Sequence, residues 1–330
     1  MHPSLTRRSL LTQAAALGSL AATPAVWAAD PVKLIYSDTI TDQDLRAKAL
    51  KEVFAPALGA GFDFKPYFSA TLFKQGTEVA AMRRGNLDMA HLTAYDIQRQ
   101  IPAWGVLTAA YLFRDIAHMQ KVYASDVGQQ LFKMAEDEAG IKILSVTYIG
   151  TRHLNLRGKK KIMKPQDLAG VKLRMPPGEG WQFVGTAMGA NPTPMPFTEV
   201  YTGLQTGAID AQDNPLPANK TMKFYEVTQQ VVLTGHLIAN NLLTVSKAKW
   251  DSLDAAQKAK LQSAANAFSS AASAQMMKEE DELIAFFKKE GQDIYAPDLK
   301  AFRTYALDAY QKSSYIKEWV PGMLDRINAL

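Results

Sequence analysis

The 330-residue chain contains no cysteine. Disulfides, thiolate metal sites and a cysteine nucleophile are thereby excluded. Of its five histidines, the four beyond His2 are His91, His118, His153 and His236. None stands at helical ligand spacing with another histidine or a carboxylate pair, so no metal centre is expected. No stretch beyond the N-terminus approaches the ~20 apolar residues of a membrane span. Catalytic signatures are missing as well. There is no G-x-S-x-G, H-E-x-x-H or Walker loop, and "GEGWQF" fails the G-x-G-x-x-G pattern at its last position. No catalytic residue and no cofactor are assigned. The one dense basic run, Lys159 to Lys161, reads as a solvated turn, so no nucleic-acid partner is expected.

What is present starts with a leader. "MHPSLTRRSLLTQAAALGSLAATPAVWA" (1–28) has basic Arg7 and Arg8, an alanine- and leucine-rich run, and small residues at Val26 and Ala28. The arginine pair ahead of Ser9-Leu10-Leu11 suits twin-arginine export, with a short Sec signal as the rival. Cleavage after Ala28 is expected to leave a soluble periplasmic protein. Its formal charge falls from +5 to +3 once Arg7 and Arg8 are gone. That mild excess suits a small anionic ligand better than a polyanion. The remaining chain is long enough to build a core without disulfides.

The pattern is α/β. "VKLIYS", "GFDFKPYF" and "LDMAHLT" read as strands, alternating with helices over "DQDLRAKALKEVFAPAL" and "GTEVAAMRRG". The alternation restarts with "KILSVTYIG", "GVKLRMP", a helix "GWQFVGTAMGA" after the glycines, and a helix "FTEVYTGLQTG" closed by Gly207. The alternating prolines of "PTPMP" argue against regular structure there. Two lobes are expected. "IKILSVTYIGTRHLNLRG" and "QQVVLTGHLIANNLLTVS" are too long for ordinary strands and break at Gly150 and Gly235, as strands crossing between lobes do. After Lys249 comes one helix of about 35 residues, ~50 Å long and able to brace both lobes. Gly291 ends it.

Binding chemistry is better represented than catalysis. Arg152 follows a strand in "YIGTRHLNLRG", and Arg174 ends one in "VKLRMPPGEGW". Ligands of open α/β sheets sit outside the carboxyl ends of strands. A guanidinium fork matches both oxygens of a carboxylate. A solvated loop charge is the rival for either arginine alone. Trp181 is either an aromatic wall of the same cleft or a core residue.

"DLAGVKLRMP" (167–176), "GANPTPMPFTEVYTGLQTGAIDAQDNPL" (189–216) and "KFYEVTQQVVLTGH" (223–236) resemble the DctP-type solute-binding proteins of tripartite ATP-independent periplasmic (TRAP) transporters. The resemblance covers the whole chain beyond the leader. It implies a two-lobed periplasmic binding protein with interlobe strands and a long bracing helix. One lobe is expected over 29–150 with about 238–275, the other over 151–237 with about 276–330. It also implies that Arg174 binds the ligand's carboxylate, that Arg152 supports it, and that Asn214 of the "NPL" turn contacts ligand. Phe197 is implied as pocket lining and His236 as part of the polar network. Core packing for Phe197, a structural role for His236 and turn chemistry for Asn214 remain rivals. "AQDNPL" stands where many members read "GQENPL", which keeps the acidic charge at Asp213. Pro176 and Pro177 stiffen the position of Arg174, and Gly178 and Gly180 are expected to turn the chain into the next helix.

The resemblance implies no enzyme but a carrier, by default a monomer, that hands a small organic anion to a small and a large membrane subunit. A periplasmic sensor is the first alternative, and an enzyme acting on a carboxylate compound the second. In "MAHLTAYDIQ", Thr93 and Tyr95 face opposite sides if the strand persists, and one should line the cleft. Thr93 and Trp181 suggest a wall with few polar groups and an apolar or aromatic acid. C4-dicarboxylates, hydroxy or keto acids and uronates stay open.

Overall fold

A computed structural model describes residues 30–330, and the leader read over 1–28 lies outside them. Nine strands form one sheet among the described residues: β1 (Val32–Ser37), β2 (Phe62–Tyr67), β3 (Met89–Leu92), β4 (Ile141–Leu156), β5 (Lys172–Met175), β6 (Asn191–Pro194), β7 (Ala211–Pro215), β8 (Gln230–Ser246) and β9 (Asp293–Tyr295). The order is β2-β1-β3-β8-β4-β7-β5-β6, with β9 also beside β8. β1 pairs in parallel with β2 and β3, and β5 in parallel with β6 and β7. Between these parallel groups lie β8 and β4, antiparallel from Ile141 opposite Ser246 to Leu156 opposite Gln230. The two over-long segments are therefore single continuous strands that serve both groups.

Both strands depart from regular geometry where the glycines stand. Gly150 has φ +106° and Gly235 φ +55°, and the register shifts between Tyr148 and Gly150. A side chain at Gly150 would put its Cβ 2.5 Å from Pro215 Cβ, so only glycine lets β7 approach there.

The long helix is continuous over Ala255–Lys289, capped by a reciprocal pair of bonds between Asp254 and Gln257. Its small residues let it lie close on β4, and its polar ones bond the strand. Gln262 Nε2 donates to the Leu144 carbonyl (2.6 Å), the Tyr148 amide to Ser273 Oγ (3.0 Å) and the Thr151 amide to Glu280 Oε1 (2.6 Å). Leu261, Ala265 and Phe268 seal a core with Leu34, Tyr36, Phe54 and Leu243. A second core joins Leu154, Leu173, Met175, Trp181, Val184 and Phe302.

Three expectations are corrected. "NPTP" is a strand, β6, despite its prolines: it lies at the sheet edge, where one side of the backbone needs no partner. β3 stops at Leu92, because the Thr93 side chain instead caps a helix over Ala94–Gln98. The helix over Glu179–Ala187 starts before Gly180, not after it. Gly178 (φ +131°) makes the turn, whereas a Cβ on Gly180 would come within 2.9 Å of Tyr95 Cδ1. Gly180 serves close approach, not the turn.

Candidate binding site

The parallel strand groups end at a shared cleft, lined on one side by Arg152, Arg174, Pro176, Trp181, Phe197 and Asn214. β5 carries Arg174 inward with only 1 % of its surface exposed. Its Nε donates to the Met195 carbonyl (2.9 Å), Nη2 to Gln75 Oε1 (3.4 Å), and the Phe197 ring lies 5.8 Å from the guanidinium carbon. Among the described residues, no carboxylate lies within ion-pair distance of it. Burial pushes its pKa down, Asp213 pulls it back up and Arg152 pushes it down again. A buried cation without a counter-charge is costly, and an incoming anion relieves that cost.

Arg152, on β4, is held differently. Its Nε and Nη2 grip the Asp213 carboxylate (2.7 and 3.0 Å), and Nη2 also reaches the Asp213 carbonyl. Asp213 Oδ2 lies 3.0 Å from His236 Nε2, and His236 Nδ1 is 2.8 Å from Thr234 Oγ1. Burial acts to raise the Asp213 carboxyl, but Arg152 and His236 hold it well below the usual carboxylate range. Beside this chain, burial and then His236 push His153 down to about 3. His236 stands behind Asp213 and does not line the cleft.

Trp181 lies 4.9 Å from the Arg152 guanidinium carbon and stacks on Tyr95, ring centroids 3.6 Å apart at 15°. Tyr95 is spent as that buttress: its hydroxyl donates to the Thr108 carbonyl (2.9 Å), and it borders a smaller hollow behind Trp181. Thr93 lines the cleft, with its hydroxyl donating to Asp96 Oδ2 (2.7 Å). Phe197 combines both readings, lining the cleft while packing edge-on against Phe224. Asn214 Nδ2 donates to Gln212 Oε1, within a buried amide cluster with Asn155 and Asn219.

The expectation of a weakly polar opposite wall is wrong. That wall carries Asp38, Asp44, Arg46, Glu78, His91 and Asp96. Asp38 accepts from the Tyr36 hydroxyl (2.6 Å) and the Thr39 amide (2.7 Å), and Arg46 grips Asp44 through Nε and Nη2 (2.9 and 2.8 Å). Burial raises the Asp38 carboxyl against the pull of Arg46, and burial raises Asp96. Glu78 is pushed up to about 8, by burial first and Asp96 second. No sequence motif marks these residues as a group. Asp38, at the carboxyl end of β1, obeys the same strand-end rule as the arginines. Gln75, which bonds both Arg174 and the Phe197 amide (2.9 Å), had no sequence signal. No group of three or more His, Asp or Glu side chains among the described residues is arranged to hold a metal.

Residues 37–317 match the model of the bacterial extracellular solute-binding protein family 7, DctP. The chain is 30 % identical over 298 residues to the sialic acid-binding periplasmic protein SiaP of Vibrio cholerae, covering 90 % of this chain and 92 % of that protein. It is 29 % identical to the 2,3-diketo-L-gulonate-binding periplasmic protein YiaO of Escherichia coli, covering 92 % of each. Among solved structures, a TRAP periplasmic solute-binding protein of Roseobacter denitrificans, with bound 3-deoxy-D-manno-oct-2-ulosonic acid, superposes with a TM-score of 0.89. The identity there is 44 %, over 91 % of this chain and 99 % of that one. The two-lobed architecture is that of these binding proteins, and the chain belongs to the DctP family of TRAP-transporter solute-binding proteins.

Proposed function

We propose that the protein captures a sugar acid in the periplasm, with the ligand's carboxylate on Arg174 and Arg152, and delivers it to a small and a large TRAP membrane subunit. The observation that carries this reading is the buried, carboxylate-free Arg174 facing a wall of carboxyls across one cleft. An anion satisfies the first side, and hydroxyl donors suit the second. The Roseobacter relative bound to an octulosonic acid supports the same class. A C4-dicarboxylate fits poorly, since its second charge would meet Asp38, Glu78 and Asp96. An aromatic acid would leave those carboxyls without donors.

Binding is completed by closure of the lobes, 29–150 with about 238–275 against 151–237 with about 276–330. The positive φ of Gly150 and Gly235 and the register shifts beside them support hinges there. No covalent step belongs to this reading, and the protein acts as a monomer. No helix among the described residues is long and apolar enough to cross a membrane, which accords with a carrier that meets its membrane partners from outside.

The test is calorimetric titration of the protein lacking residues 1–28 with a panel of sugar acids, dicarboxylates and aromatic acids, alongside Arg174→Ala. A sugar acid should bind, and Arg174→Ala should weaken it at least roughly a hundredfold, as loss of one partner of a buried ion pair does. Undiminished binding in Arg174→Ala would remove the carboxylate anchor. Binding confined to dicarboxylates or aromatic acids would refute the ligand class.

A further inference from the structure

The carboxyls of the acidic wall differ in how much of their bonding capacity is used. Asp38 Oδ1 accepts from the Thr39 and Ile40 amides and Oδ2 from Tyr36. Both oxygens of Asp44 are taken by Arg46. Asp96 Oδ2 takes the Thr93 amide and hydroxyl, leaving Oδ1. Glu78 stands apart. The residue is 6 % exposed and lines the cleft, and among the described residues no side chain bonds or pairs with its carboxyl, which only the Gly76 amide and its own amide stabilise. A carboxyl offers about four lone-pair sites, so one that takes backbone amides alone and faces a ligand cleft has room for further donors.

Its charged neighbours define what can fill it. The groups that act on Glu78 are the carboxyls of Asp96 and Asp38, whereas those acting on Arg174 are Asp213 and Arg152. The cleft thus has two electrostatic ends. The guanidinium that lines the one around Glu78, Arg46, is already spent on Asp44, and Arg99, which acts on Asp96 from outside the lining, donates to the Gly76 carbonyl. A second carboxylate placed there would be desolvated among three carboxyls, with no guanidinium of the lining left to pair with it. A hydroxyl group meets unused acceptors.

Building on the sugar-acid reading, we infer that Glu78 is the specificity-determining residue of the cleft. Its carboxyl accepts hydrogen bonds from the ligand's hydroxyls and disfavours a second carboxylate at the end away from the arginines. Asp96 Oδ1 is the adjoining acceptor. Glu78 touches the ligand in this scheme, so its removal changes the ranking of ligands and not only their overall affinity.

Two six-carbon probes that share the hydroxyls of their four inner carbons separate the effects: D-galactonate, with a terminal hydroxyl, and galactarate, with a second carboxylate in its place. 3-Deoxy-D-manno-oct-2-ulosonate is the third probe. Each is titrated calorimetrically against wild type, Glu78→Gln and Glu78→Ala, with thermal unfolding of the unligated proteins alongside. Wild type should prefer galactonate, or the octulosonate, over galactarate by at least about tenfold. Glu78→Ala should weaken the preferred monoacid roughly 3- to 10-fold, the range for a hydrogen bond to an uncharged carboxyl. Both variants should narrow the preference over galactarate while their unligated unfolding midpoints stay level or rise. Equal weakening of mono- and diacid would make Glu78 merely structural and overturn the inference, as would unchanged affinity for the monoacid. If wild type binds galactarate best, Glu78 is not the filter. If Arg174→Ala abolishes binding of whichever acid is preferred while Glu78→Ala does not alter the ranking, the anchor stands and only this inference falls.

Discussion

The two walls of the cleft bury ionisable groups to a similar degree but resolve the cost differently. On the arginine wall the charges are kept. Asp213 is fully buried yet held ionised by Arg152 and His236, and Arg174 stays a cation without a carboxylate of its own. On the acidic wall burial instead raises the carboxyls of Asp38, Glu78 and Asp96, with Arg46 committed to Asp44. Desolvation acts on both walls alike, and what differs is the supply of opposite charge. One wall is therefore a preorganised anion site and the other a set of hydrogen-bonding carboxyls. A molecule with one carboxylate and several hydroxyls complements both.

The contrast breaks most severely at Asp213. Asp213→Ala leaves Arg152 buried and unpaired and is expected to cost about 3–5 kcal/mol by denaturant unfolding. Asp213→Asn tests the charge itself. Asp213 has a depressed carboxyl in the folded state, so its contribution is present above the ordinary carboxylate range and lost as pH falls below it. The acid limb of the wild-type stability profile, below roughly pH 4, should flatten in Asp213→Asn; an unaltered limb would mean the pair contributes no linkage.

The opposite sign is expected on the other wall. Glu78 has a raised carboxyl, so the folded state holds a proton that the unfolded chain releases, and stability falls as pH rises from the ordinary carboxylate range towards about 8. Glu78→Gln should remove that fall and stabilise the unligated protein near pH 8 by about 1 kcal/mol, roughly 2 °C in midpoint. Parallel profiles for wild type and variant would show that Glu78 titrates normally.

The smallest effect is expected at Tyr95, which touches neither ligand wall directly but backs Trp181. Tyr95→Phe removes the bond to the Thr108 carbonyl and keeps the stack, for a loss of about 1 kcal/mol of stability and less than about a twofold change in ligand Kd. A larger change in Kd would make the hydroxyl part of the binding apparatus.

Much of this was legible in the chain. The long crossing strands showed as apolar runs broken by Gly150 and Gly235, and the long helix as one uninterrupted pattern ending before Gly291. Arg152 and Arg174 showed because strand ends in such sheets face the cleft. Other features were hidden for identifiable reasons. Proline periodicity cannot distinguish an edge strand from irregular chain, so β6 went unseen. Thr93 carries no mark telling whether it continues a strand or caps a helix, since that depends on Asp96 turning back to bond it.

The sequence by itself determined the alternation of strands and helices, the glycines that interrupt the two crossing strands and the family, because these rest on local periodicity and on long contiguous motifs. The tertiary structure alone decided that Asp38, Glu78 and Asp96, up to 58 positions apart in the chain, share one wall facing Arg174. It alone decided which of their oxygens remain unused. Hydrogen-bond satisfaction and desolvation are properties of assembled surroundings, and no residue carries them before its neighbours arrive.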